Sequence, residues 1–169
     1  IRNKSLPPSF KRLAVNISPA QFMDPEFEAK LDKTMKSCDI DSSVLELELT
    51  ESLFMGDKDL IREKMQRLSN KGYTFALDDF GTGYSSLSYL KYLPVDRLKI
   101  DQSFIAGVEK ESGDRAIASA IIRLGNGLGI DVMAEGVENV EQLKFISSKK
   151  CSSVQGYFLA KLMPLEKFI

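Results

Sequence analysis

Two adjacent carboxylates, Asp78 and Asp79, close a short apolar run, Thr74-Phe75-Ala76-Leu77. They are followed by Phe80-Gly81-Thr82-Gly83 and then by a stretch of helical character from about Ser85. Paired acids at a strand end, a Gly-x-Gly turn and a helix start are the parts of a hard-cation or general acid/base site. The same residues have a plainer use, with Asp79 and Thr82 as turn and cap residues and the glycines letting the chain reverse. Repetition favours chemistry. A polar group also stands near the C-terminal end of other β-prone runs: Asn16, Glu48, Lys99 with Asp101, Glu135 and Gln155.

What chemistry is open to them follows from composition. The chain has no histidine, which removes Ser-His-Asp and Cys-His schemes and His-bearing zinc sites, leaving carboxylate, amide and lysine chemistry. Any metal would be held by oxygen, which favours magnesium, manganese or calcium. A formal net charge of -1 over 169 residues offers no electrostatic case for DNA or an anionic membrane surface. No apolar run reaches the roughly 18 residues of a membrane span, and residues 1–10 do not read as a signal peptide. Cys38 and Cys151 have no motif spacing and read as reduced thiols of a cytoplasmic protein.

The elements that position these groups alternate. Strands are expected at Arg12–Ile17, Val44–Thr50, Thr74–Leu77, Arg97–Asp101, Asp131–Val137 and Val154–Phe158. Between them the spacing predicts helices from Pro25 to about Ser37, with Asp24 as N-cap, and over Asp57–Asn70 and Ser85–Leu93. Two more are expected at Asp114 to about Leu124, weakened by Gly125, Gly127 and Gly129, and at Val140–Ser148. Short strands alternating with helices of about ten to fifteen residues signal βα units and a parallel sheet in one α/β domain. A closed eight-stranded barrel takes about 200 residues or more. The chain is therefore either an open sheet or a barrel lacking its first unit or two, and its N-terminus reads as the middle of a unit.

Period two assigns the faces. Leu13, Val15, Ile17, Leu45, Leu47, Leu49, Phe75, Leu77, Leu98, Ile100, Val132, Ala134 and Val154 share the phase that packs under helices. The opposite phase aims Asn16, Glu48, Asp78, Lys99, Asp101, Glu135 and Gln155 at a common, shielded interior. Burying unpaired carboxylates costs several kcal/mol each, on the order given by ion desolvation, and the acids far outnumber Lys99. A bound divalent cation or two is the economical counter-charge. The alternatives are an internal ion pair of Lys99 with Asp101 or Glu48, and Glu135 as a carboxylate near a helix start with Glu138 and Asn139 as the capping group.

The motifs Asn16-Ile17-Ser18-Pro19-Ala20-Gln21, Glu46-Leu47-Glu48-Leu49-Thr50-Glu51-Ser52, Asp78-Asp79-Phe80-Gly81-Thr82-Gly83-Tyr84-Ser85-Ser86-Leu87, Leu98-Lys99-Ile100-Asp101, Ala134-Glu135-Gly136-Val137-Glu138 and Gln155-Gly156-Tyr157, in this order, resemble the EAL domain, the bacterial cyclic di-GMP phosphodiesterase. The resemblance implies a modified TIM (β/α) barrel that binds two Mg2+ or Mn2+ ions and cleaves cyclic di-GMP to linear pGpG. By motif, Asn16, Glu48 and Asp78 would hold the first metal and Asp78 with Asp79 the second. Lys99 and Glu135 would position and deprotonate the attacking water, and Gln155 would assist. Glu51 would hold the Phe80–Ser86 loop, and Asp101 is a possible additional site residue. The resemblance also implies a homodimer through about residues 80–93 and an upstream sensory or GGDEF-type domain, so that this is the cytoplasmic part of a larger, even membrane-anchored, protein.

The Glu-Ala-Leu motif itself, on the family's first strand, has no counterpart, since Glu28-Ala29 falls in a predicted helix and is followed by Lys30. The expectation is one domain over residues 1–169 that is N-terminally incomplete by one strand/helix unit. Three functions stand open: the phosphodiesterase, a catalytically impaired cyclic di-GMP sensor module, and a magnesium-dependent barrel enzyme acting on a sugar phosphate or enolate.

Overall fold

The structure is a computed structural model that describes residues 10–83 and 90–164. Within these, six strands form one sheet: β1 (Leu13–Ile17), β2 (Leu45–Thr50), β3 (Thr74–Phe80), β4 (Arg97–Ile100), β5 (Asp131–Ala134) and β6 (Ser153–Val154). Their spatial order is their sequence order, and every neighbouring pair is parallel. Winding that never reverses direction is the winding of a (β/α) barrel, whereas a doubly wound sheet turns back at a switch point. The sheet is not closed, because β1 and β6 are its two edges.

Among the described residues the α-helices are α1 (Pro19–Met23), α2 (Phe27–Cys38), α3 (Lys58–Asn70), α4 (Gln102–Ala106), α5 (Ser112–Leu128) and α6 (Val140–Ser148). The Asp57 carboxylate caps α3 by accepting from the amides of Asp59 at 3.1 Å and Leu60 at 3.2 Å, and Ile61, Met65 and Leu68 bury its inner stripe. Two short helices, α1 and α4, escape a periodicity reading because five residues barely exceed one turn. Asp24 is the C-cap of α1 rather than the N-cap of a helix at Pro25; α2 starts at Phe27 behind Glu26. The helix expected to weaken at Gly125 continues to Leu128. A Cβ on Gly125 would lie 2.2 Å from Val132 Cγ2, so the missing side chain lets α5 close on β5. Strands β5 and β6 are shorter than expected, ending at Ala134 and Val154. The helix expected over Ser85–Leu93 falls largely outside the described residues.

Leu47, Leu49, Phe75, Leu77, Leu98, Ile100 and Val132 are buried beneath the helices, as their phase requires. Leu13 and Val15 break the rule, at 40% and 37% exposure. Their strand is an edge supported only by β2, and among the described residues nothing covers its outer face.

Helix α2 is tied to α3 and β3 by a ladder of side chains. Arg67 donates to Glu28 Oε1 through Nε at 3.1 Å and Nη2 at 2.8 Å, while Lys71 Nζ at 2.6 Å and the Tyr73 hydroxyl at 3.2 Å both donate to Asp32. Burial and the Asp32 carboxylate push the Tyr73 phenol up to about 12. The Lys71 bond, against the opposing effect of burial, holds the Asp32 carboxyl below its ordinary value. That depressed pKa makes the rung stabilising above the ordinary carboxylate value of about 3.9, with the contribution lost as pH falls through the lower folded value. Thermal unfolding followed from neutral pH into acid is expected to lose stability below about pH 4, and Asp32→Asn should flatten that acid limb while lowering Tm at neutral pH.

Candidate active site

At the C-terminal ends of the strands, one ammonium gathers three carboxylates. Lys99 Nζ lies 2.9 Å from Glu48 Oε1, 2.9 Å from Asp78 Oδ1 and 2.9 Å from Glu135 Oε1. These four side chains come from β2, β3, β4 and the end of β5, so the sheet winding alone brings them to one point. Lys99 is 4% exposed. Burial pushes its pKa down, but the hydrogen bonds it donates to Glu135, Glu48 and Asp78 outweigh that and hold it above its ordinary value. The lysine is therefore a permanent cation here rather than a proton acceptor.

Asp79 reaches the same pocket by a different device. Along a regular strand two successive side chains point to opposite faces. Between Leu77 and Phe80, however, β3 carries one more residue than β4 does between Leu98 and Ile100, which is a β-bulge. Asp79 sits in it at φ 54, the left-handed region that costs a non-glycine residue about 1 kcal/mol or more. As a result one oxygen each of Asp78, Asp79 and Glu135 lie within 4.8 Å of one another. Burial, then the charge of Asp78, pushes the Asp79 carboxyl up; burial likewise raises Glu135, against the pull of Lys99.

Four carboxylates thus stand around one ammonium that pairs with three of them, and the unbalanced charge lies where Asp78, Asp79 and Glu135 present oxygen at coordination range. An all-oxygen donor set with surplus negative charge fits a hard divalent cation such as Mg2+ or Mn2+. The tier below makes the contrast. Glu46, on the same face as Glu48 and 1% exposed, accepts from Arg97 Nη1 at 2.7 Å and Arg12 Nη1 at 3.4 Å, and Asp131 lies 4.0 Å from Arg97. That tier is charge-balanced and closes the base of the pocket. The alternation of Glu46 with Glu48 and of Arg97 with Lys99 carries this tier in the sequence.

The remaining expected residues are placed as follows. Asn16 stands in register with Glu48 at the tip of β1 and is exposed. Gln155 is exposed too, and its backbone rather than its side chain is tied in, donating to Ala134 O at 2.8 Å and accepting from Val137 N at 3.0 Å. The expectation that all these groups are shielded fails for both, because each belongs to or adjoins an unpaired sheet edge. Asp101 caps α4, accepting from the Ser103 amide at 2.9 Å and from the Ser103 hydroxyl, and it also faces Asp79. Glu51 is buried and accepts from Gly81 N at 3.1 Å; Gly83 lies so close that a Cβ would meet Glu51 Oε2 at 2.2 Å. The corner after Glu135 is fixed by Gln142, whose Oε1 accepts from Glu138 N at 2.7 Å, and by Asn139, which caps α6. Gly156 lets β6 run against it, since a Cβ there would lie 2.2 Å from Val137 O.

Two substitutions separate the roles of charge in this pocket. Lys99→Met leaves buried carboxylates without their cation and is expected to destabilise the metal-free protein by about 3 kcal/mol in urea unfolding, with Mn2+ restoring more stability than it adds to the parent. Asp79→Asn, which keeps a residue tolerant of the left-handed region but removes a crowded charge, should raise the Tm of the metal-free protein while weakening Mn2+ binding.

Comparison with known proteins gives this geometry a family. The family model for the EAL domain matches residues 2–162. The bifunctional diguanylate cyclase/cyclic di-GMP phosphodiesterase MucR of Pseudomonas aeruginosa is 41% identical over 93% of this chain and 23% of its own length. Among solved structures, one described as the PaMucR phosphodiesterase in complex with c-di-GMP superposes with TM-score 0.90 at 41% identity, covering 94% of this chain and 64% of that one. A manganese/cyclic di-GMP complex of Klebsiella pneumoniae BlrP1 superposes with TM-score 0.80 at 28% identity, covering 89% of this chain and 38% of that one. The chain spans between 19% and 23% of the length of the first curated relatives it matches. On the match across nearly its whole length, the chain belongs to the EAL domain family.

Proposed function

We propose that this chain is the catalytic portion of a cyclic di-GMP phosphodiesterase, hydrolysing one phosphodiester of the cyclic dinucleotide to linear pGpG with two Mg2+ or Mn2+ ions. The observation that carries the reading is the convergence of Glu48, Asp78, Asp79 and Glu135 on a pocket with one ammonium, Lys99. The relatives named for cyclic di-GMP hydrolysis and the complexes with that nucleotide support the substrate, and a manganese complex supports the class of metal.

Asn16, Glu48 and Asp78 would hold the first ion, and Asp78 with Asp79 the second. Bound there, such ions neutralise phosphate charge and lower the pKa of water. Glu135, its pKa raised by burial, is suited to take a proton from the attacking water. Lys99 fixes the Glu135 carboxylate by direct contact and holds positive charge beside the phosphate position. Gln155 assists from the tip of β6. Glu51 holds the loop at Gly81, so that the carboxylates on β3 and the loop above them stay in register.

The edges at β1 and β6, unpaired among the described residues, favour a domain completed by a preceding strand/helix unit of a longer protein with an upstream sensory or GGDEF-type domain; a relative several times this length that is also named a diguanylate cyclase supports this. A homodimer through residues 80–93 and a cytoplasmic location complete the proposal. The described residues contain no helix long and apolar enough to cross a membrane. The exposure of Asn16 on the unsupported edge strand favours a second reading, a module that binds cyclic di-GMP without turnover.

Incubation with cyclic di-GMP and Mn2+, analysed for pGpG, separates the readings. Linear product supports the phosphodiesterase, binding without product supports the sensor, and neither points to another phosphate-directed barrel enzyme. In an active longer form, Glu48→Ala is expected to abolish turnover; full activity in that variant would refute the metal assignment.

A further inference from the structure

The ladder between α2 and α3 has a third rung, and it differs from the other two. The cations Lys64 and Arg67 of α3 and Lys71 at its C-cap point at positions 24, 28 and 32 of the chain entering and forming α2. Arg67 and Lys71 end on carboxylates. Lys64 does not: its Nζ donates at 2.8 Å to the backbone carbonyl of Asp24, while the Asp24 carboxylate is taken by Lys30 Nζ at 2.9 Å and Glu26 N at 2.9 Å. Lys64 is 5% exposed, and its ammonium lies 5.4 Å and 5.5 Å from the ring centroids of Phe22 and Phe27. Burying an ammonium away from a carboxylate is costly, and a carbonyl with two aromatic faces recovers part of that cost. What the arrangement achieves is placement of main chain, since a side-chain acceptor could swing and a carbonyl cannot.

The main chain so placed is the corner that follows Asn16. Ser18 caps α1 in a reciprocal pair with Gln21, Phe22 is buried against Phe75 of β3 at 6.5 Å between centroids, and Asp24 closes α1. Among the described residues, only β2 pairs with the strand that carries Asn16. The orientation of its tip therefore depends on how α1 is anchored, and the Phe22 ring and the Lys64 bond tie α1 to β3 and α3.

We propose that Lys64 is a positioning residue for Asn16: through Asp24 O and α1 it fixes the β1 corner against α3, and so sets the geometry of the first cation site. This inference rests on the reading of Asn16 as a metal ligand, and the test keeps the two apart. Mn2+ titrations by calorimetry on the present chain would compare the parent, Lys64→Met, Lys64→Arg, Asn16→Ala and the double variant Asn16→Ala/Lys64→Met. Lys64→Met keeps length and apolar packing but loses the donor. It is expected to weaken the tighter Mn2+ site about tenfold, the scale seen when a group that orients a ligand is removed, with Lys64→Arg restoring affinity to within about threefold. In the Asn16→Ala background, Lys64→Met should change affinity no further. A general loss of packing would instead weaken binding equally in both backgrounds, and that result, or parent-like affinity in Lys64→Met, overturns the role of Lys64. Parent-like affinity in Asn16→Ala removes the ligand assignment and the inference with it. Should Lys64→Met fail to give the parent circular dichroism spectrum, Lys64→Gln, which keeps a donor on a shorter arm, takes its place, with the same two-background comparison deciding.

Discussion

The contact between Lys99 and three carboxylates is the constraint on which the rest of the molecule turns. A cation held 2.9 Å from Glu48, Asp78 and Glu135 requires the ends of three other strands to meet within a few ångströms of β4. Parallel strands wound in sequence order supply that convergence, because each βα unit returns the chain to the same end of the sheet. The hydrophobic phase of the strands does the complementary task. Leu47, Leu49, Phe75, Leu77, Leu98 and Ile100 anchor the outer face under helices, so the polar phase has only the interior to occupy.

Charge then separates the interior into two tiers with different properties. At the base, Glu46 is matched by Arg97 and Arg12, and such a pair needs nothing from solution. At the top, Lys99 answers one of four carboxylates' worth of charge, and the surplus raises the pKa of Asp79 and Glu135 after burial has begun to do so. A single lysine could have been balanced by one acid. The excess, together with the bulge that brings an oxygen of the exposed Asp79 within 4.8 Å of those of Asp78 and Glu135 at the expense of backbone strain, is what a structural ion pair leaves unexplained and the proposed cation site accounts for.

Much of this was legible in the chain itself, and the exceptions have physical reasons. Strand count, parallel α/β class and the convergence of Glu48, Asp78, Lys99 and Glu135 followed from period two, which depends only on local geometry. The placing of Leu13 and Val15 under helices failed because alternation reveals a phase but not whether anything lies against it; that depends on β1 being an edge. Asn16 and Gln155 followed their phases yet remained exposed for the same reason. Helices α1 and α4 were invisible because a single turn has no period, although Ser18 and Asp101 were readable as caps. Gly125 misled because glycine lowers helix propensity everywhere, while here its missing side chain is what admits Val132. The bulge at Asp79 carries no alternation signal at all, though Asp followed closely by two glycines marks a chain able to leave the regular region.

The geometry is also compatible with a divalent ion entering, as proposed above, without dismantling the pocket. Lys99 touches one oxygen of each of its three partners, and carboxylates bear two, so each partner keeps a second oxygen that Lys99 does not engage. Lys99 need not leave for a cation to arrive. Its raised pKa means it stays charged throughout the neutral range, fixing the orientation of Glu48, Asp78 and Glu135 in advance. A site ordered by its own lysine would lose little conformational freedom on binding the proposed cation, and the lysine holds these carboxylates together even in a sheet with two open edges. The weakest element is then the one that Lys99 does not reach, the tip of β1 with Asn16, whose position depends on packing and hydrogen bonds made several residues further along the chain.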